Sequence, residues 1–314
     1  MTPHRPRLAY LLVVLAGVFF VVNGGVSRVV LRAGVAPVTL TSIRVTGSFL
    51  LFLSWALLGR RTALRLPRGR DLVPLVGLGL VGVAALQWAY FVAVDRLPIG
   101  IALMLEYTAP VLVALWARFI GHEAVRNRMW VAIGLSLVGL ALISQVWQGL
   151  VFDTVGVLAG FGAALCFAGY FLLGEHGVAR QDPLAVVLWS FGVATVALNL
   201  VSPVSGVSTA VLGHSTSLLG SLSGWQAPVW LLLGWVVSLG SVLPFFLELY
   251  ALQHLPATVV VVVAMIEPVG SVVLGWSWFG ESLTAVQVVG CAAVVSGIAL
   301  AQTARRTAPA PVTV

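Results

Sequence analysis

Two glutamates stand where an apolar chain has little reason to hold them. Glu106 and Glu267 each lie inside an apolar run of about 22 residues, long enough at ~1.5 Å rise per residue to cross a ~30 Å hydrocarbon layer. A carboxylate at membrane depth costs about 2.5 kcal/mol or more, so such a side chain calls for a task or a partner. Glu267 falls about ten residues, or ~15 Å, into its run, close to the bilayer centre. Pro268 follows it directly and, lacking an N–H, frees a carbonyl one turn back to line a cavity. Glu106 lies about seven residues, or ~11 Å, below the end of its run, four residues before Pro110. The chemistry open to them is proton exchange or capture of a substrate amine. Arg44, about six residues into another run at similar depth, is the obvious ion-pair partner for Glu106, either structurally or as one substrate-binding pair. Glu267 has no evident partner in the sequence, so a transport role stands beside a structural hydrogen bond.

Further polar and aromatic groups lie at comparable depth. Glu248, four residues after Pro244, is placed to snorkel toward the interface. Gln87, Trp88, Tyr90, Tyr107, Tyr170 and Trp189 supply polar and aromatic surface that could line a site or anchor helices at the interface. Asn23, followed by Gly24 and Gly25, suits close helix packing. Glu123 and Glu281 fall at turns between runs, where they would cap or dock against helix N-termini.

The elements that position these groups are written twice. Leu97–Glu123 reappears as Leu255–Glu281, with Pro98, Pro110 and Glu123 matched to Pro256, Pro268 and Glu281 at a constant separation of 158 and no gap. In this register Glu267 matches Ala109, three positions from Glu106, so both carboxylates fall on one helical face about a turn apart. A weaker echo precedes it: LAG at 15–17 matches LAG at 158–160, and APVTL at Ala36 faces DPLAV at Asp182.

Composition sets the class. The chain of 314 residues is 60% hydrophobic and 9% charged with a mean hydropathy of +1.07, which marks a polytopic membrane protein. It contains no lysine, so a phosphate-binding loop that needs one cannot exist here. Cys166 and Cys291 lie inside apolar runs and suggest neither a disulfide nor a metal site. No cofactor is implied, and neither a GxSxG nor an HExxH pattern suggests an enzyme. The net charge of +7 comes from arginines clustered between apolar runs, where they orient the chain in the bilayer and make nucleic acid an improbable partner.

Ten apolar runs fall near 8–31, 38–58, 72–94, 99–120, 129–146, 153–174, 184–203, 228–250, 257–279 and 284–302. The first follows a short basic segment without a cleavage site and reads as a retained span. The fold class is therefore all-α, with ten transmembrane helices, because unpaired strands cannot satisfy their backbone in lipid. Arg5 and Arg7, the cluster from Arg60 to Arg70, Arg126, Arg128, Arg180, Arg305 and Arg306 all fall on one side, which the positive-inside rule makes cytoplasmic together with both termini. Arg28, Arg32 and Arg96 fall on the other, as does the Ser- and Gly-rich segment 204–227. Five helices per copy is odd, so the two halves, 8–147 and 152–303, are expected to be inverted, with a site near the midplane between them. Residues 304–314 read as a disordered tail.

The segments TAPVLVALWARFIGHE (Thr108–Glu123), IEPVGSVVLGWSWFGE (Ile266–Glu281) and APVTLTSIR (Ala36–Arg44) resemble the EamA family of the drug/metabolite transporter superfamily, over about 8–302. The resemblance implies two inverted five-helix repeats, cytoplasmic termini and a central cavity lined by the first four helices of each repeat, the fifth and tenth being peripheral. Two departures are visible: GHE replaces the usual GE at Glu123, and Ser190 stands where an equivalent of Arg44 would fall, which makes the cavity charge asymmetric. The main expectation is a secondary transporter of a bacterial-type inner membrane that exports small metabolites such as amino acids, with protons as a candidate coupling ion through Glu267. An importer or exchanger of sugar-, nucleotide- or drug-like solutes is the alternative, and a non-transporting scaffold the alternative of another class. A homodimer is compatible with the sequence.

Overall fold

A computed structural model of the chain describes residues 6–67, 69–148, 153–201, 203–204 and 209–303. The expectations for Arg5, Arg68, Arg305, Arg306 and the 304–314 tail lie outside the described residues. Within them, ten helices are long and apolar enough to cross a membrane: α1 Arg7–Arg32, α2 Pro37–Gly59, α3 Leu72–Arg96, α4 Gly100–Phe119, α5 Asn127–Ser144, α6 Thr154–Arg180, α7 Pro183–Val201, α8 Val229–Leu252, α9 Ala257–Phe279 and α10 Ala285–Thr303. Every apolar run read from the sequence is one of these helices. The segment between α7 and α8, expected to be irregular, contains a short antiparallel hairpin that pairs β1 Ser215–Ser217 with β2 Gln226–Pro228.

Four of the ten helices are not regular, and these irregularities are what the site is built on. α3 passes through a π-helical stretch at Leu78–Ala85, and α8 through another at Ser238–Val242. α4 breaks after Glu106 and resumes at Ala109; α9 breaks at Met265 and resumes at Ile266. Tyr107 and Met265, the two break residues, lie 158 positions apart; with ψ of 12° Tyr107 leaves the helical basin, and with ψ of −2° Met265 sits at its edge. The prolines explain why the chain can restart here: Pro110 sits in the first turn of the new segment, where an amide hydrogen has no intrahelical partner to lose. Thr108 answers one freed carbonyl, donating its hydroxyl to Leu105 O at 2.7 Å.

The packing maps onto itself when α1–α5 are exchanged for α6–α10. α1 packs on α8 and α9, and α6 packs on α3 and α4. α2 packs on α7, and α5 on α10. At the last of these crossings the backbones nearly touch, since a methyl on either Gly139 or Gly290 would lie 2.7 Å from the other's carbonyl oxygen. Four ion pairs tie the loops together: Arg28–Glu281 (2.6 Å), Arg60–Asp182 (2.7 Å), Arg96–Asp153 (3.5 Å) and Arg180–Asp71 (3.1 Å). Each joins two segments that counting spans from the N-terminus places on the same side. Glu281 therefore binds Arg28 instead of capping a helix, because the α1 and α9 ends converge there.

Candidate functional site

The breaks bring side chains from both halves to one place. Tyr107, 3% exposed at the α4 break, donates its hydroxyl to Glu267 Oε2 at 3.0 Å. Glu267 begins the second segment of α9, where the amide ends of the new helix favour a carboxylate. Its charge also acts on Arg44 of α2, Glu106 of α4, Glu248 of α8 and Tyr90 of α3, so five helices contribute to one electrostatic cluster. Arg44, Tyr90, Glu106 and Glu267 each keep part of their surface uncovered although they lie within spans.

Two expectations about partners are corrected by this arrangement. No Glu106–Arg44 ion pair forms among the described residues; the carboxylate whose charge acts on Arg44 is Glu267. Glu248 does not snorkel. It is 4% exposed and accepts the Tyr170 hydroxyl at 3.2 Å, because α6 crosses α8 at this level and covers it.

Below the carboxylates lies an aromatic layer. Phe167 packs edge-on to Tyr107 (5.6 Å between centroids) and stacks with Tyr170 (6.5 Å), and Tyr170 meets Phe245 edge-on at 5.7 Å. Such contacts hold ring positions more tightly than area burial alone would, so the two tyrosine hydroxyls that bind carboxylates are fixed. Asn23 packs against Gly240 in the π-helical stretch of α8, the close approach expected of it.

The remaining candidates fall elsewhere. Gln87 and Trp88 line a cavity of about 840 Å3 between α2, α3 and α7. Trp189 sits near the start of α7 and donates its indole N–H to Ala63 O at 3.2 Å, which ties α7 to the α2–α3 loop. Pro110 and Pro268 are both buried in the restarted helices. Cys166 and Cys291 are free thiols, part-buried and packed against the apolar core. Among the described residues no cluster of three or more His, Cys, Asp or Glu side chains could hold a metal.

Sequence reasoning missed Glu175. Its carboxylate lies by the Ala257 amide at the start of α9 and lines, with Glu123 and His176, a cavity of about 510 Å3. A glutamate five positions before the end of a span, 82 residues ahead of Ala257, gives no local signal of that contact.

A ten-helix membrane protein with paired helix breaks and an internal cluster of carboxylates, an arginine and tyrosines has the architecture of a membrane transporter. The sequence profile of the EamA-like transporter family matches residues 7–145 and again 154–303, and the chain belongs to that family. It is 28% identical over 237 residues to the threonine/homoserine exporter RhtA of Salmonella typhimurium, covering 74% of this chain and 72% of that one. It is also 26% identical over 286 residues to an uncharacterized transporter of Archaeoglobus fulgidus, covering 90% and 92%. A solved crystal structure at 19% identity superposes with a TM-score of 0.77 over 98% of this chain and all of the other, a likeness of fold.

Proposed function

We propose that this transporter is a secondary exporter of small zwitterionic metabolites, amino acids first among them, working by alternating access between two inverted repeats, 8–147 and 152–303. The observation that carries the reading is the opposition of Arg44 and Glu267 at membrane depth, each part-exposed, with Glu106 beside them. A zwitterion needs one fixed cation for its carboxylate and one fixed anion for its ammonium, and a cluster of one arginine and three carboxylates offers both. The acidic surplus would otherwise be an uncompensated buried charge, so an incoming ammonium or a proton relieves it. This is the basis for proton coupling through Glu267. The two-fold exchange of helix packing supports inversion, and the arginine distribution supports cytoplasmic termini in a bacterial-type inner membrane. The export activity in the name of the RhtA relatives points the same way.

The test is counterflow in proteoliposomes loaded with threonine, homoserine or another neutral amino acid, against sugars and nucleotides as competitors. Amino-acid exchange that Glu267→Gln abolishes supports the reading. Exchange of a sugar or nucleotide alone contradicts it.

A further inference from the structure

The cavity beside Gln87 and Trp88 is not filled by the reading above. It arises because α3 divides at its π-helical stretch. The part at and before Leu78–Ala85 packs on both α6 and α7, whereas the outer part, Leu86–Arg96, keeps its packing on α6 and parts from α7. A wedge of about 840 Å3 is left between that outer part and the α2–α7 pair, within the ~300–1,000 Å3 usual for small-molecule sites.

Three properties of the wedge constrain what occupies it. Its walls are apolar: Leu80, Ala85 and Phe91 face it from α3, and Ala197 and Leu198 from α7. Its flank is open at membrane depth, because Leu80 is 43% and Trp88 63% exposed inside a span. Its mouth carries one charge of each sign, Asp95 and Arg96, at the end of α3. From that mouth to Leu80 is sixteen residues, about 24 Å of helix. Arg96 shares only one 3.5 Å contact with Asp153, so most of its five donors are free.

Water would be a poor occupant of a slot walled by aliphatic and aromatic groups, since a retained water needs two to four polar partners. A hydrocarbon chain entering from the bilayer side meets no such cost. We propose that the wedge is a binding site for a zwitterionic phospholipid of the outer leaflet, with one acyl chain along α3 and α7, its phosphate on Arg96 and its ammonium on Asp95. The site is separate from the carboxylate cluster and does not depend on which solute the transporter carries. The lipid acts as a removable wall that completes the α2–α3–α7 face.

Native mass spectrometry of the full chain decides it, after washing in dodecyl maltoside and re-addition of phosphatidylethanolamine or phosphatidylglycerol. Wild type is expected to retain phosphatidylethanolamine about tenfold more than the anionic lipid, a difference of about 1.4 kcal/mol. Ala85→Trp combined with Ala197→Trp fills the slot and is expected to remove the retained lipid, with unfolding temperature in lipid-free detergent unchanged. Should that variant not fold, Asp95→Arg at the exposed mouth decides instead, because it should turn the preference toward phosphatidylglycerol. Equal retention of the two lipids by wild type, full retention by a folded tryptophan variant, or an unmoved preference in Asp95→Arg each overturns the proposal.

Discussion

The two halves of this transporter share a frame but not a chemistry. At a constant offset of 158, the α4 break at Tyr107 matches the α9 break at Met265, and Gly82 of the α3 π-helical stretch matches Gly240 of the α8 one. Both glycines allow a neighbouring helix close: Tyr170 of α6 crosses at Gly82, and Asn23 of α1 at Gly240. The groups carried by the frame differ at nearly every matched position. Glu267 is matched by Ala109, Glu106 by Ala264 and Glu248 by Tyr90, while Arg44, in the earlier echo that aligns Ala36 with Asp182 at an offset of 146, is matched by Ser190. Under the alternating access proposed above, a symmetric frame would supply two arrangements of similar energy, and the asymmetric lining would give the solute a single orientation in both.

The largest expected effect breaks the asymmetry. Glu267→Gln should lower solute exchange by about 100-fold or more, the consequence of losing about 2.7 kcal/mol of charge-assisted binding, while the matched change Ala109→Ser should leave exchange within about threefold of wild type. Initial rates in proteoliposomes measure both. If Ala109→Ser were as damaging as Glu267→Gln, the lining would be functionally symmetric.

Next come the glycine crossings, which sharpen the symmetry of the frame. A methyl on Gly82 would sit 3.0 Å from the Tyr170 Cα, and one on Gly240 would overlap the buried Asn23 side chain with its Cβ at 3.0 Å, obstacles that cannot rotate away. Gly82→Val and Gly240→Val should each destabilise by about 1–3 kcal/mol, the usual range for overpacking. Thermal unfolding in detergent reads both.

Tyr107→Phe removes one hydrogen bond to a carboxylate and should cost about 1.5–3 kcal/mol of stability or of solute affinity. Its matched position already carries Met265, so Met265→Leu should cost less than about 1.5 kcal/mol. At the small end, Arg28→Ala severs an ion pair whose two side chains are about half exposed, 47% and 54%. Such a contact contributes about 0–1 kcal/mol, so unfolding should barely move and the main trace should be in salt dependence.

Much of the frame was legible in the chain, because span length and apolarity are local properties and the 158-residue repeat preserves its prolines without gaps. The break positions were approximate: Pro110 and Pro268 mark them, but the backbone departs from helix two or three residues earlier, where no residue type announces it. The π-helical stretches left no signal, since Leu78–Ala85 reads as ordinary apolar helix. Glu106, Glu267 and Arg44 stood out by charge, yet their pairing did not follow from depth alone. Depth placed Arg44 with Glu106, whereas the charge that acts on it is that of Glu267. Glu248 looked peripheral for the same reason: its cover comes from α6, some 78 residues away in sequence.

The most direct measurement is ligand-dependent thermal unfolding of wild type, Glu267→Gln and Glu106→Gln across neutral amino acids, sugars and nucleotides. A solute at 100 times its dissociation constant should add about 2.7 kcal/mol of apparent stability to wild type. Neutral amino acids alone should do so, and the gain should disappear in Glu267→Gln. A gain of the same size in wild type and Glu267→Gln would contradict that expectation.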